Sequence, residues 1–167
     1  GDGHAVLDVG SGTGALSFAV HDATATTTIT GVDPSPDYVS HALAKRTDPR
    51  LAFVVGDAQQ LPFDAAMFER VLSLLVLNFV PDRARALAEM TRVTKSGGVI
   101  AAAVWDYGEG MEMLRVFWDE AVALDPGAEP RDEAHMPLCA EGELAAVEPL
   151  MALAEDDPVA RSEKLRA

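Results

Sequence analysis

The stretch Val6-Leu-Asp-Val-Gly-Ser-Gly-Thr-Gly14 decides the fold of this 167-residue chain. It joins a short apolar run, Ala5–Val9, to glycines at positions 10, 12 and 14, and the residues that follow, Ala15–His21, have the composition of a helix. This order predicts a β-strand, a tight turn and a helix. Glycines in the turn permit positive φ angles and let the main chain approach a ligand without a side chain in the way.

The same alternation continues towards the C-terminus. Apolar and β-branched runs predict four more strands, at residues 26–32, 51–55, 70–77 and 99–105. One helix is predicted from Pro36, with Ser35 as its N-cap, and another over residues 84–93, ended by Ser96-Gly97-Gly98. Continuous apolar runs are typical of parallel strands covered on both faces. We therefore expect an α/β fold of the Rossmann-like kind: an open, mostly parallel sheet of at least five strands with helices on both faces.

The pattern changes after the fifth predicted strand. Residues 111–124 predict one helix, whose apolar stripe suits either the roof of a substrate pocket or a core helix. Residues 126–142 look irregular, and residues 143–155 predict a further helix that Pro149 starts, kinks or breaks.

The formal net charge of −14 is unevenly distributed. Residues 1–107 hold 12 acidic and 8 basic side chains, whereas residues 108–167 hold 15 and 5. Nucleic-acid binding through the phosphate backbone needs lysines and arginines, so we expect no nucleic-acid partner. We expect residues 1–107 to form a ligand-binding α/β core and residues 108–167 to form an acidic, mainly helical extension of the same domain.

A single cysteine, Cys139, excludes an intramolecular disulfide, and we interpret it as a small apolar residue. No stretch resembles a signal peptide or a membrane span. These features predict a cytoplasmic protein with no membrane partner; they predict neither a metal site nor an oligomeric state.

Acidic residues lie at the ends of the first three predicted strands, where ligands bind in open α/β sheets. Asp8, beside the glycine turn, favours a cationic group and repels a pyrophosphate. Asp33 suits two ribose hydroxyls, and Asp57 suits an adenine amino group. Together they indicate adenosine joined to a cationic amino acid. Because the turn alone also fits a dinucleotide, a nicotinamide-dependent oxidoreductase stays an alternative.

Four motifs in order carry a family resemblance. Val6–Gly14, Gly31–Ser35, Gly56–Phe63 and Leu87–Gly98 resemble class I S-adenosylmethionine-dependent methyltransferases, and are most similar in style to the small-molecule branch with the ubiquinone and menaquinone biosynthesis enzymes. The resemblance covers about residues 5–107. It implies S-adenosylmethionine as the cofactor and methyl transfer to a small-molecule acceptor by in-line displacement.

The resemblance also assigns cofactor-binding positions. The glycine turn and Asp8 would hold the methionine moiety, Asp33 the ribose, and Pro34, Ser35, Asp57 and Ala58 the adenine, while Leu74 would offer a main-chain carbonyl. The full set is Asp8, Gly10, Ser11, Gly12, Gly14, Asp33, Pro34, Ser35, Asp57, Ala58 and Leu74.

Six of these positions have purely structural alternatives. Gly10, Gly12 and Gly14 suit a tight turn alone. Asp33 suits a helix cap, Asp57 suits an Asx turn, and Leu74 suits the core.

No dedicated catalytic base follows from the sequence, because in-line transfer depends largely on proximity and orientation. Asp106 and Tyr107, at the end of the fifth predicted strand, are candidates for an acid or base. The sixth and seventh strands that the family adds to its sheet are not evident. A second hypothesis is therefore a domain that binds S-adenosylmethionine but is catalytically incomplete and acts through interaction.

Overall fold

The computed structural model describes residues 3–108, 110–136 and 138. The strands are β1 (Ala5–Val9), β2 (Thr28–Asp33), β3 (Leu51–Val55), β4 (Phe68–Leu74) and β5 (Thr94–Ala103). The α-helices are α1 (Ala15–Ala23), α2 (Pro36–Lys45), α3 (Arg83–Val93) and α4 (Glu112–Leu124). Short 3₁₀ turns cover Leu77–Phe79, Pro126–Arg131 and Glu133–His135.

The five strands form one parallel sheet in the order β3-β2-β1-β4-β5. The central strand, β1, places Asp8 beside Gly31 of β2 and Leu72 of β4. The chain moves outward from β1 in one direction to β3 and from β4 in the other direction to β5, so the loops after β1 and β4 diverge at a topological switch point. The predicted open parallel sheet is confirmed.

Helices cover both faces of this sheet, as predicted. One apolar cluster joins Phe18 of α1 and Val39 of α2 to Phe53 of β3. The larger cluster joins Leu7 and Val71 of the central strands to the buried face of α3. Phe53 belongs to the first cluster, whereas the next residue, Val54, packs against the second. Successive residues of a strand point to opposite faces, so the two clusters lie on opposite faces of the sheet.

The start of α2 agrees with the sequence prediction. Ser35 has an extended conformation, and its Oγ accepts a hydrogen bond from the Tyr38 main-chain N–H at 3.3 Å. Pro36 occupies the first turn, where its missing N–H costs no helical hydrogen bond. The turn after β2 is thereby fixed at the edge where a ligand would bind.

The fourth strand is shorter than predicted. It ends at Leu74, because Leu75 has a positive φ of 62° and donates its N–H to Ala103 O at 2.7 Å. The chain then forms the turn Leu77–Phe79, in which Leu77 is as buried as a strand residue. The apolar run therefore continues beyond the strand because the turn also packs into the core.

The boundary between α3 and β5 also differs from the prediction. The helix ends at Val93 and the strand begins at Thr94, whose Oγ1 donates to Met90 O at 2.6 Å. Phe68 pairs with Thr94, but Arg70 pairs with Val99, so residues 95–98 bulge out of β5. Ser96-Gly97-Gly98 is therefore a bulge with Gly97 at a φ of 72°, and does not end the helix. At its far end β5 stops at Ala103, two residues before Trp105.

Helix α4 is present close to its predicted position, but it is not a core helix in the described part of the chain. None of its residues is buried, and Met113, Val116 and Phe117 are more than half exposed. Its Arg115 pairs with Asp132, with Nη1 2.9 Å from Oδ2. The segment predicted as irregular contains two 3₁₀ turns within its described residues.

Cys139, Pro149 and the helix predicted over residues 143–155 lie outside the described residues. The division at residue 107 stays a prediction. Within the described ranges, no helix is both long and apolar enough to cross a bilayer.

Candidate functional site

The glycine turn folds back over the end of β2. The N–H groups of Gly10 and Ser11 both donate to Val32 O, at 2.8 and 3.0 Å. Gly10, Gly12 and Gly14 have φ angles of 75°, 52° and 87°, which other residues rarely adopt. The backbone conformation of the turn therefore requires glycine at all three positions.

The three glycines nevertheless face different surroundings. A Cβ on Gly10 would lie 2.5 Å from Val76 Cγ1, and one on Gly14 would lie 2.8 Å from the Phe18 ring. A Cβ on Gly12 would meet no atom within 4 Å. Gly10 and Gly14 thus allow neighbouring side chains to pack against the turn, whereas Gly12 borders open space that a ligand can enter.

Asp33 ties this turn to the start of α2. Its Oδ2 accepts the Gly12 N–H and its Oδ1 accepts the Ser35 N–H, both at 2.9 Å. The side-chain cap of α2 is Ser35, so Asp33 does not take the alternative role of helix cap. Each carboxylate oxygen keeps a further acceptor site, so Asp33 can still accept hydrogen bonds from a ligand.

Asp8 lies in β1 below the turn and is almost completely buried. Its Oδ2 accepts the Ser17 hydroxyl of α1 at 2.7 Å. Burial raises the pKa of Asp8 from 3.8 to about 6, and the nearby Asp33 carboxylate adds to the increase.

A cavity of about 320 Å³ opens at the carboxyl ends of the strands, beside the switch point. This volume is in the range of small-molecule sites. It is lined by Gly10, Val32, Pro34, Gly56, Asp57, Ala58, Gln59, Val76, Phe79, Val80 and Pro81.

Four predicted cofactor-binding residues line this cavity, namely Gly10, Pro34, Asp57 and Ala58. The other seven do not: Asp8, Ser11, Gly12, Gly14, Asp33, Ser35 and Leu74. Sequence reasoning missed the segment from Val76 to Pro81, because the predicted fourth strand ran through Leu77. Ending that strand at Leu74 would have placed this segment at the same edge as the glycine turn.

Asp57 is held in an Asx turn. Its Oδ1 accepts the Gln59 main-chain N–H at 2.8 Å. This hydrogen bond and the Gln59 side-chain amide keep the pKa of Asp57 below its ordinary value. The structural alternative for Asp57 is thus correct, and the same residue also lines the cavity.

The remaining candidates lie towards β5. The Leu74 side chain is 41% exposed, so its alternative role as a core residue is wrong. Buried Asn78 donates its Nδ2 to Trp105 O at 3.2 Å and accepts the Trp105 N–H at 2.9 Å, which makes it a clamp between two loops. Asp106 and Tyr107 follow this clamp outside the cavity lining, and their roles stay predictions.

In the described ranges, no group of three histidine, cysteine, aspartate or glutamate side chains is arranged to hold a metal ion.

We expect Gly10→Ala to lower the free energy of unfolding by about 1–3 kcal/mol more than Gly12→Ala. Both variants strain a positive φ, but only alanine at position 10 collides with Val76. Urea unfolding measures both losses. Val76→Ala should recover part of the loss in the Gly10→Ala background, and strict additivity in this double-mutant cycle would contradict the contact.

Asp8 should make the protein less stable as pH rises from about 4 to 7. Its pKa is raised on folding, so the folded state binds the proton more tightly and loses that advantage above pH 6. The Asp8→Asn variant has no carboxyl group at this position and so lacks this pH-dependent loss of stability. The free energy of unfolding of the variant minus that of the wild type should therefore rise by about 3 kcal/mol between pH 4 and pH 7. Urea unfolding of both proteins across the pH range measures the difference, and a constant difference would show that Asp8 is ionised throughout.

Comparisons with known proteins agree with this geometry. A family model described as a methyltransferase domain matches residues 7–102. The demethylmenaquinone methyltransferase of Beutenbergia cavernae is 39% identical over 104 residues, which cover 60% of this chain and 40% of the relative.

Two solved structures share the fold. An S-adenosylmethionine-dependent methyltransferase from Mesorhizobium loti aligns with a TM-score of 0.59 at 23% identity, covering 64% of this chain and 49% of the other. The [4+2]-cyclase SpnF aligns with a TM-score of 0.57 at 30% identity, covering 60% and 38%. Similarity in fold therefore extends to a protein named for a different reaction.

The chain spans less than half the length of the curated relatives it matches, between 27% and 40% in the first of them. The family resemblance predicted from the four motifs is confirmed. Because the matched residues 7–102 make up more than half of the chain, it belongs to the methyltransferase domain family, and the cofactor that this family implies is S-adenosylmethionine.

Proposed function

We propose that the chain forms the S-adenosylmethionine site of an enzyme that methylates a small molecule. The observation that carries this proposal is the cavity at the switch point, which joins the glycine turn to an ionised carboxylate at the end of β3. The residues proposed to bind the cofactor are those predicted from the sequence, together with the segment from Val76 to Pro81 after β4.

The adenine end of the cavity is the end with Asp57. An ionised carboxylate is an acceptor only, which suits the 6-amino group of adenine. Pro34 after β2, Ala58 after β3, and Val76 and Phe79 after β4 supply apolar surface for the faces of a purine ring. Ser35 follows Pro34, and its N–H is already bound to Asp33.

The ribose and the methionine moiety fit the polar groups around the glycine turn. Asp33 has acceptor sites left for ribose hydroxyls, and it lies beside the open space at Gly12. The Ser11 Oγ is buried with no hydrogen-bond partner in the described part of the chain, so a ligand group in the turn would relieve an unsatisfied hydroxyl. The Asp8 carboxylate favours a cationic ligand nearby.

When bound, S-adenosylmethionine supplies a methyl group on a positively charged sulfur. The contribution of the chain is to bind and orient: the glycine turn and Asp33 fix the position of the cofactor, and the apolar cavity wall excludes water from it. Gly14 in the turn and Leu74 at the end of β4 complete the proposed set. Asp106 and Tyr107 remain proposed acid–base candidates for an acceptor that must lose a proton.

The acceptor side of the site favours an apolar small molecule. The Leu74 side chain at the end of β4 is exposed and offers apolar surface to an acceptor. The net charge of −14 disfavours polyanionic acceptors. The name of the Beutenbergia cavernae relative refers to a demethylated quinone, which is an acceptor of this class. The cytoplasmic location is part of this proposal.

The experiment that tests the function has two steps. Calorimetric titration should give binding heat with S-adenosylhomocysteine and none with NAD. Methyl-labelled S-adenosylmethionine is then incubated with a panel of prenylated hydroquinones and with polar phenols, and label should pass to the hydroquinones. Binding without any transfer would favour the catalytically incomplete alternative.

Replacing Asp33 should weaken binding of S-adenosylhomocysteine. Asp33→Ala removes acceptors for the ribose and for the Gly12 N–H, and we expect a loss of about 2 kcal/mol, roughly thirtyfold in Kd. Asp37→Ala, which removes an exposed carboxylate four residues away, should leave Kd within about twofold.

A 2′-deoxy analogue of S-adenosylhomocysteine separates the two roles of Asp33. The wild type should bind this analogue less tightly than the parent compound, whereas Asp33→Ala should bind the two about equally. If Asp33→Ala kept the full preference for the 2′-hydroxyl, the ribose assignment would be wrong.

A further inference from the structure

Gln59 connects the turn after β3 to the start of α3. Its side-chain Nε2 lies 3.1 Å from Asp57 Oδ1 and 3.2 Å from Oδ2. Its Oε1 accepts the main-chain N–H of Asp82, the N-cap residue of α3, at 3.0 Å. One amide side chain thus links two segments that both border the cavity.

The partners of this amide fix its orientation. An ionised carboxylate only accepts hydrogen bonds and a main-chain N–H only donates them, so the NH₂ group must face Asp57 and the oxygen must face Asp82. The main chain of Gln59 is held as well, because its carbonyl accepts Arg85 Nε at 2.7 Å. Gln59 therefore has little freedom to move away from Asp57.

The Asp57 carboxylate keeps capacity for one more donor. A carboxylate offers about four acceptor sites on its two oxygens. Gln59 directs its main-chain N–H and its side-chain amide at Oδ1, and only the amide at Oδ2. Oδ2 therefore retains an acceptor site, and Asp57 lines the cavity.

We infer that Gln59 is a positioning residue that sets the nucleobase selectivity of the site, because it holds Asp57 where a 6-amino purine can donate to it. This inference rests on the proposed function, since it takes S-adenosylmethionine as the ligand of the cavity. A 6-amino group donates to the carboxylate. A 6-oxo group places a second acceptor against the carboxylate, which leaves both unsatisfied and repels the ligand.

Calorimetric titration of the full chain with S-adenosylhomocysteine and with its 6-oxo analogue, S-inosylhomocysteine, measures this selectivity. The wild type should prefer the amino compound. Gln59→Ala removes the whole bridge, whereas Gln59→Glu keeps an acceptor for the Asp82 N–H but cannot donate to Asp57. We expect the preference for the amino compound to fall by about tenfold in both variants, towards the preference of Asp57→Asn. The Kd of Gln59→Ala for the 6-oxo compound should stay within about twofold of the wild-type value.

Gln60→Ala is the matched control. Gln60 is the same residue type at the next position, and its exposed side chain has no hydrogen-bond partner in the described ranges. Its main-chain N–H donates to the Asp57 carbonyl at 3.0 Å, which the substitution keeps. The preference of this variant should equal that of the wild type, and thermal unfolding of all variants checks that each is folded.

Two results would overturn the inference while leaving the proposed function intact. One is an unchanged preference in Gln59→Ala and Gln59→Glu when S-adenosylhomocysteine still binds. The other is an equal loss of affinity for both ligands, because that would mean Gln59 supports only the shape of the cavity. If the wild type failed to bind S-adenosylhomocysteine at all, the proposed function itself would be contradicted.

Discussion

The path of the chain after β1 constrains the segments that surround the cavity. β1 lies between β2 and β4, so the residue that follows it must pass between the end of β2 and the segment after β4. At Gly10 this passage leaves no room for a Cβ, because Val76 occupies the volume. The Gly10 N–H is at the same time bound to Val32 O. The glycine turn, the end of β2 and the turn Leu77–Phe79 are therefore held in one arrangement.

The three acids at the carboxyl ends of β1, β2 and β3 are in three different physical states. Asp8 on the central strand is buried, and its pKa is raised. Asp33 on the next strand is also buried, but two main-chain N–H groups bind it. Asp57, after the edge strand, is exposed and has a lowered pKa. Solvent access thus increases from the centre of the sheet to its edge, and the carboxylate with the lowered pKa lies at the edge.

The strand ends beside Asp8, Asp33 and Asp57 could be predicted from the sequence, because each apolar run there stops close to the end of its strand. The sequence could not predict the cavity wall after β4, since Leu77 is buried as deeply as a strand residue although it lies in a turn. Nor could it place the start of β5, because Gly97 suits a helix end and a strand bulge equally well. Tertiary packing decided both boundaries.

The two hydrogen bonds from Asn78 fix the position of the Trp105 main chain relative to the turn after β4. Both polar groups of one buried side chain engage both main-chain groups of one residue, so the chain leaves β5 from a set position relative to the cavity wall. Whatever follows Trp105 starts from the same point in space. A change in the length or composition of the downstream segments therefore leaves the point at which the chain departs from the sheet where these two hydrogen bonds fix it.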